Sequence, residues 1–586
     1  MPSAAFPAAR PRRSGVWRWA LGVAAFLCAT AAWTVPVSAD GLEVLRTSFT
    51  LHLTGSFRLP PPPPGSWLDP YQHRKLPGGV PGYDVSYPPL AALVRAALFP
   101  PISLVPAGAL RGRVADAVMQ LLPVLLTALA VVPLTRLARL AGCSRRAAPA
   151  LASALLVTTF LGPLGRLDFP EPFIVLLSSW SLERILVARR REGAHRLKAL
   201  AAGGGLVGLA LLAKPTAFVL VPAMLLAVAR PLRRPLRARD FAAFGAGMLP
   251  GLTAFFALNN LRYGSPLDFG YRWGDLPPGG ERLPLAWTAL RLTVLPNRGV
   301  FWFAPLLLLA FFVPMRNRLA EPLRTDCAAA LVASGGFFAA NLWWWVWEGG
   351  FGWGPRLLAP AVALSIPWLV GRGPTWRRAG LTLAFFGFAL NLPAYLLYEV
   401  RIYDFSKLGN SPGAPVGPVM RRHRNPAAPG EVDPLQRVHY VPAAATWIEG
   451  PRILFALATR GNGKETGDVA GDARRDPLVL RLLLGKPALP AVPGVGLLLF
   501  DDAEMAADVD PRRALAFAQA AIDFGGPPVD TRAFVSMLLL RSGRASEAAR
   551  VCREALALDP GRADLRSNLA LAERMMKRAA GPRPPG

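Results

Sequence analysis

Between residues 15 and 398 the chain carries one apolar stretch after another, and beyond residue 400 such stretches become rare. A membrane-spanning helix needs roughly 20 mostly apolar residues, because a backbone in hydrocarbon must satisfy its own N–H and C=O groups. The stretches lie near 15–37, 114–134, 147–165, 171–188, 198–213, 216–229, 240–258, 300–314, 327–346, 357–370 and 379–398. They are continuous rather than alternating, which argues against a closed β-barrel. A chain of 586 residues that is 52% hydrophobic is too apolar for an ordinary soluble protein. The expected fold is all-α: a polytopic membrane bundle of about eleven transmembrane helices, followed by a mainly helical C-terminal domain.

Charge supplies the topology. The formal net charge is +29, and the arginines gather at alternate junctions. Arg10, Arg12 and Arg13 precede the first stretch. Arg136/Arg139/Arg145/Arg146, Arg189–Arg191, Arg230/Arg233/Arg234/Arg237/Arg239, Arg316/Arg318 and Arg372/Arg377/Arg378 follow on the same side. Cytoplasmic loops collect arginine, so the N-terminus is expected inside and, after an odd number of spans, the tail outside. A nucleic-acid binder would gather its charge on a polar domain with interleaved aromatics; no nucleic-acid partner is expected. A cleavable signal peptide is the rival reading of the start, since Val37-Ser38-Ala39 resembles a cleavage site. Either way Asp40 falls outside. The four cysteines, Cys28, Cys143, Cys327 and Cys552, form no CxxC pair, so neither a zinc ribbon nor a disulfide framework is indicated.

Chemistry is therefore sought on the arginine-poor face. Asp40, followed by Gly41, stands where the first span ends. It is either a solvated helix end or a general base beside a lipid headgroup. Residues 41–53 carry apolar positions at helical spacing, the pattern of a helix lying in the interface. Pro60–Pro64 enforce an extended stretch, and Tyr83–Leu90 lead into another amphipathic segment. The loop 38–113 is thus expected to pack over the mouth of the bundle. Asp168-Phe-Pro-Glu171, Lys214-Pro215, Asn297-Arg298-Gly299 and the run Trp343–Arg356 converge on the same mouth. Its tryptophans suit an interface belt, and Arg356 offers a planar donor fork that suits phosphate. Lys214 reads equally as a snorkelling side chain, and Arg356 as an interface arginine. His52, His73 and Glu348 read as structural, and no His/carboxylate spacing recommends a metal site. Cations and acids in one apolar vestibule meet the needs of a single reaction class, transfer of a sugar from a lipid phosphate. The departing phosphate needs positive charge, and the acceptor needs a carboxylate to take its proton.

Asp40-Gly41, Tyr83-Asp-Val-Ser-Tyr-Pro-Pro, Tyr263-Gly-Ser-Pro-Leu, Asn297-Arg-Gly-Val-Phe-Trp-Phe-Ala-Pro-Leu and Gly352-Trp-Gly-Pro-Arg-Leu-Leu-Ala-Pro together resemble the GT-C glycosyltransferases. The resemblance is to phospholipid-carrier-dependent enzymes akin to protein O-mannosyltransferases and aminoarabinose lipid A transferases, and it covers roughly residues 15–400. It implies a polyprenyl-phosphate-linked sugar donor, a protein or glycolipid acceptor, and action on the outer face of a bacterial inner membrane. It gives Asp40 the role of base; Lys214, Arg298 and Arg356, by their clustering on the outer face, are the candidate phosphate partners. Either Asp168 or Glu171 would be the second acid, orienting the acceptor or holding a divalent metal; no cofactor is assigned. The family often has a second acid directly after the first, where this chain has Gly41, with Glu43 two residues on. A transporter or flippase for a lipid-linked substrate is the alternative class, and a non-catalytic scaffold a third.

The chain divides into 1–400, an irregular module at 401–510, and 511–586. In the last, Gly543, Ala548, Ala555 and Pro560 sit at tetratricopeptide offsets, a helix-pair unit with a period of about 34 residues. Such a segment either recruits a protein partner or caps the region before it. Val492–Phe500 is too short and too interrupted to span.

Overall fold

The structure is a computed structural model that describes residues 14–31, 39–59, 73–75, 83–85, 88–167, 169–229, 238–270, 284–312, 323–343, 353–371, 373–396 and 493–579. Each apolar stretch of the sequence is helical where it is described. Helices α1 (Ser14–Ala29), α5 (Ala109–Leu140), α6 (Ala147–Val157), α7 (Leu161–Leu164), α8 (Glu171–Ala188), α9 (Gly193–Ala213), α10 (Leu220–Ala229), α11 (Ala238–Tyr263), α13 (Val300–Phe303), α14 (Leu323–Trp343), α15 (Ala359–Leu364) and α16 (Pro374–Leu396) build the bundle. Among the described residues four of them, α5, α9, α11 and α16, are long and apolar enough to cross a membrane.

Several expected spans are broken rather than continuous, and proline is the cause. Lys214 before Pro215 is extended, at φ −164° and ψ 126°, as the ring of a following proline demands. A 3-10 turn, Pro215–Val219, then restarts the helix. Pro305 likewise separates α13 from the 3-10 segment Pro305–Phe312. Pro360 and Pro367 divide the stretch at 357–370 into α15 and two 3-10 turns, Arg356–Leu358 and Ile366–Leu369.

The tightest crossing is α9 on α11, where glycines spaced four apart face each other. A Cβ on Gly204 would lie 2.0 Å from the Phe244 carbonyl oxygen, and one on Gly247 would lie 1.9 Å from that of Ala201. Gly208 meets Gly251 backbone to backbone. In hydrocarbon, helix association depends on such close approach because lipid is as apolar as the partner helix.

At the arginine-rich end the basic side chains are paired. Arg189 and Arg190 meet Asp326 at 2.6 and 3.2 Å, and Arg196 meets Asp240 at 2.6 Å. Arg136 reaches Glu183 at 3.4 Å. Asp240 and Asp326 both lie in the first turn of their helices, where the helix dipole favours a carboxylate.

Three further helices, α2 (Ala39–Thr54), α3 (Pro89–Ala96) and α4 (Phe99–Ile102), lie in the first loop. A short antiparallel ribbon of β1 (His73–Lys75) and β2 (Tyr83–Val85) pairs His73 with Val85. The interface helix expected over 41–53 is present as α2, yet it is not a surface helix. Every residue from Glu43 to Thr50 is buried, on all faces. Val44 belongs to the bundle core, whereas Leu45 and Phe49 belong to a second core shared with the tail. The tail helices are α17 (Gly494–Ala506), α18 (Pro511–Asp523), α19 (Pro528–Arg541), α20 (Ala545–Leu558) and α21 (Ala563–Ala579). They pack as successive antiparallel neighbours, and the first of them starts at Gly494. α12 (Leu285–Thr293) completes the bundle side.

Candidate functional site

Glu171 opens α8 and Lys214 ends α9. The antiparallel packing of those helices brings Lys214 Nζ to 2.7 Å from Glu171 Oε1. Glu171 is 3% exposed and Lys214 15%, so the pair is largely removed from water. Glu171 Oε2 is buried and has no hydrogen-bond partner among the described residues. Because α8 has 18 residues, this pair and the Arg189–Asp326 pair stand about 27 Å apart along it. The site lies at the arginine-poor end.

Arg356 lies beside the same place. Its guanidinium carbon stands 4.2 Å from the centroid of the Phe169 ring, and Phe169 is two residues before Glu171. Stacking uses the guanidinium's face, while its N–H donors point outward from its edge. The backbone that delivers Arg356 is tightly held. Gly354 adopts φ +66°, and a Cβ there would meet the Phe303 ring at 3.0 Å and Phe160 at 3.1 Å, so glycine is required. Trp353 Nε1 donates to Asn391 Oδ1 at 2.8 Å, and the Asn391 amide donates to the carbonyls of Phe303 and Gly387 at 3.1 and 2.8 Å.

Arg298 occupies a different position from the one the sequence suggested. It is 0% exposed, and its Nη1 donates to the Gly354 carbonyl at 2.6 Å. It secures the turn that presents Arg356. Asp40 lies in the first turn of α2; its side chain, with Asp168, Glu348 and the tryptophans of 344–347, falls outside the described residues. Glu43, the other acid of that turn, is committed to Arg46 at 3.2 Å.

Arg166 had not been singled out. Its Nη1 donates to the Thr30 carbonyl, its own carbonyl accepts from Gln120 Nε2, and its guanidinium lies 5.9 Å from the Tyr395 ring centroid. It thereby ties the end of α1, and so the start of the first loop, to the segment carrying Phe169 and Glu171. A lone arginine on the arginine-poor side was the available signal. Among the described residues no three His, Cys, Asp or Glu side chains gather as a metal site would require. Glu171 supplies a single unpartnered carboxylate oxygen.

No family model and no curated protein matches the chain. Two solved structures are similar to it. One is the archaeal oligosaccharyltransferase AglB from Archaeoglobus fulgidus in complex with an inhibitory peptide and a dolichol-phosphate. The similarity there is 13% identity over 95% of this chain and 72% of that one, with a TM-score of 0.41. The other is ArnT from Cupriavidus metallidurans bound to undecaprenyl phosphate, at 16% identity over 85% of this chain and 88% of that one, with a TM-score of 0.43.

Proposed function

We propose that this chain is an integral-membrane glycosyltransferase of GT-C type, moving a sugar from a polyprenyl-phosphate carrier to a protein or glycolipid acceptor. The observation that carries the reading is the convergence of the Glu171–Lys214 pair and the Phe169-stacked Arg356 at the arginine-poor end of a membrane bundle. In the reaction an acceptor oxygen or nitrogen bonds to the anomeric carbon as the carbon–oxygen bond to phosphate breaks. The electron pair leaves on the polyprenyl phosphate, and the acceptor's proton passes to Asp40 as general base. Arg356 and Lys214 neutralise the phosphate as charge develops on it. Glu171 holds Lys214 in place, and Arg298 acts on the phosphate indirectly by fixing the Arg356 turn. On this reading the site faces the outer side of a bacterial inner membrane.

The test is transfer by the full chain reconstituted in liposomes with undecaprenyl phosphate-linked mannose or aminoarabinose. Asp40→Asn should reduce kcat by about 100-fold or more, the usual range for a general base. Arg356→Ala should weaken undecaprenyl phosphate binding. Full transfer by a correctly inserted Asp40→Asn variant would remove Asp40 from the mechanism. Release of carrier into the opposite leaflet without sugar transfer would instead identify a flippase.

A further inference from the structure

We infer that α17 of the tail is a strut that sets the position of the Asp40-bearing helix α2 against the membrane bundle, with Asp116 and Asp502 as its positioning residues. The inference rests on the role proposed for Asp40.

The N-terminus of α17 has no cap of its own, since Pro493 stands at the N-cap and provides no side-chain hydrogen bond. Asp116 of α5 supplies the cap from another element. Its Oδ2 accepts the Gly494 N–H and its Oδ1 accepts the Val495 N–H, both at 2.8 Å. A carboxylate there satisfies two of the helix's orphan donors and lies at the positive end of its dipole. Further along the same helix, Asp502 accepts from Arg46 Nε of α2, and both side chains are buried. Residues 494 and 502 are separated by about 12 Å along a helix axis. One rigid element therefore joins the membrane-anchored α5 to α2 at a set spacing. Arg46 lies about 9 Å along α2 from Asp40.

Two more observations exclude a loosely tethered tail. The Gly108 N–H donates to the Asp523 carbonyl at 2.7 Å, and a Cβ on Gly112 would lie 2.0 Å from the Phe524 carbonyl oxygen. The Phe49 ring of α2 lies 4.3 Å from Phe99 and 6.2 Å from Phe524. To shift against α5, α2 must break the Arg46–Asp502 pair or pull α17 off Asp116.

The experiment uses the full chain in lipid nanodiscs, with Asp502→Asn and, separately, Asp116→Asn. Amide hydrogen exchange is read over residues 43–54, with α9 and α11 as the folding control. Transfer kinetics are measured with undecaprenyl phosphate-linked mannose and aminoarabinose. Each variant should accelerate exchange over 43–54 by about tenfold, a loss of local protection, while α9 and α11 stay unchanged. It should lower kcat more than it raises donor KM. Asp116 lies on α5, so loss of protection on α2 in Asp116→Asn is an effect that local packing at Asp116 does not produce. Unchanged exchange over 43–54 alongside faster exchange in α17 would overturn the strut. Absence of transfer by the unsubstituted chain would defeat the proposed function alone, since the exchange result decides the strut independently.

Discussion

Replacing Lys214 by Met leaves Glu171 as an uncompensated carboxylate in a position where it is 3% exposed. The bare attraction of the pair at 2.7 Å is about 6 kcal/mol for an effective dielectric near 20. Desolvation offsets much of that in forming the pair, but it works against the protein once one partner is gone, so deletion costs about 3–5 kcal/mol. Lys214→Met should therefore destabilise the protein by about 3 kcal/mol. Glu171→Gln should cost about half as much, because the flexible Lys214 side chain can carry its charge toward water. The double variant should be less unstable than the sum of the two by about 2 kcal/mol. Reversible unfolding in mixed micelles with increasing SDS measures all three. If Lys214→Met costs the same in the Glu171→Gln background as in the parent, to within about 0.5 kcal/mol, the two groups are not paired. Binding of undecaprenyl phosphate adds a second readout. Lys214→Met should weaken it, and Glu171→Gln should weaken it less, since the ammonium remains but is no longer held in place.

Gly247→Leu should prevent stable insertion of the α9–α11 pair, since even its Cβ would sit 1.9 Å from the Ala201 carbonyl oxygen; loss of monodisperse protein on size-exclusion chromatography in detergent checks this. Gly112→Val should separate the tail from α5 for the same reason, at the Phe524 carbonyl, and limited proteolysis should then cut ahead of Gly494.

The helical bundle was legible in the sequence because length and apolarity alone decide what can cross a bilayer. The break at Lys214 was legible as the junction between 198–213 and 216–229, whereas that at Ala304 was less so: Pro305 marks it locally, but hydropathy averages over it. Glu171 and Lys214 were both visible as candidates, while their pairing depends on the antiparallel contact of α8 and α9, which neither local pattern contains. The carbonyl partner of Arg298 was hidden for a related reason. A guanidinium suits a phosphate and a backbone carbonyl equally well, and only the turn at Gly354 decides between them. The burial of α2 on every side was invisible because part of its cover comes from residues more than 400 positions away.

The positive-inside rule explains why those arginines are worth attention. An arginine in a loop that stays in the cytoplasm needs no structural reason, because topology alone favours it there. On the opposite side that reason is absent, so each arginine found there must be held by something specific. Seven of the described arginines at that end are held in this way. Arg46 meets Asp502, Arg111 meets Asp523, Arg166 meets the Thr30 carbonyl, and Arg298 meets the Gly354 carbonyl. Arg262, Arg291 and Arg356 lie against the rings of Tyr263, Trp287 and Phe169. Most of these secure the loop segments around the mouth of the bundle: Arg46 and Arg111 join it to the tail, Arg166 joins the end of α1 to the segment carrying Phe169 and Glu171, and Arg298 steadies the turn at Gly354. Arg356 differs from Arg262 and Arg291 in the ring it lies against, Phe169, which is two residues from Glu171 of the Glu171–Lys214 pair. That neighbourhood separates the arginine proposed to meet the substrate from those that hold the mouth in shape.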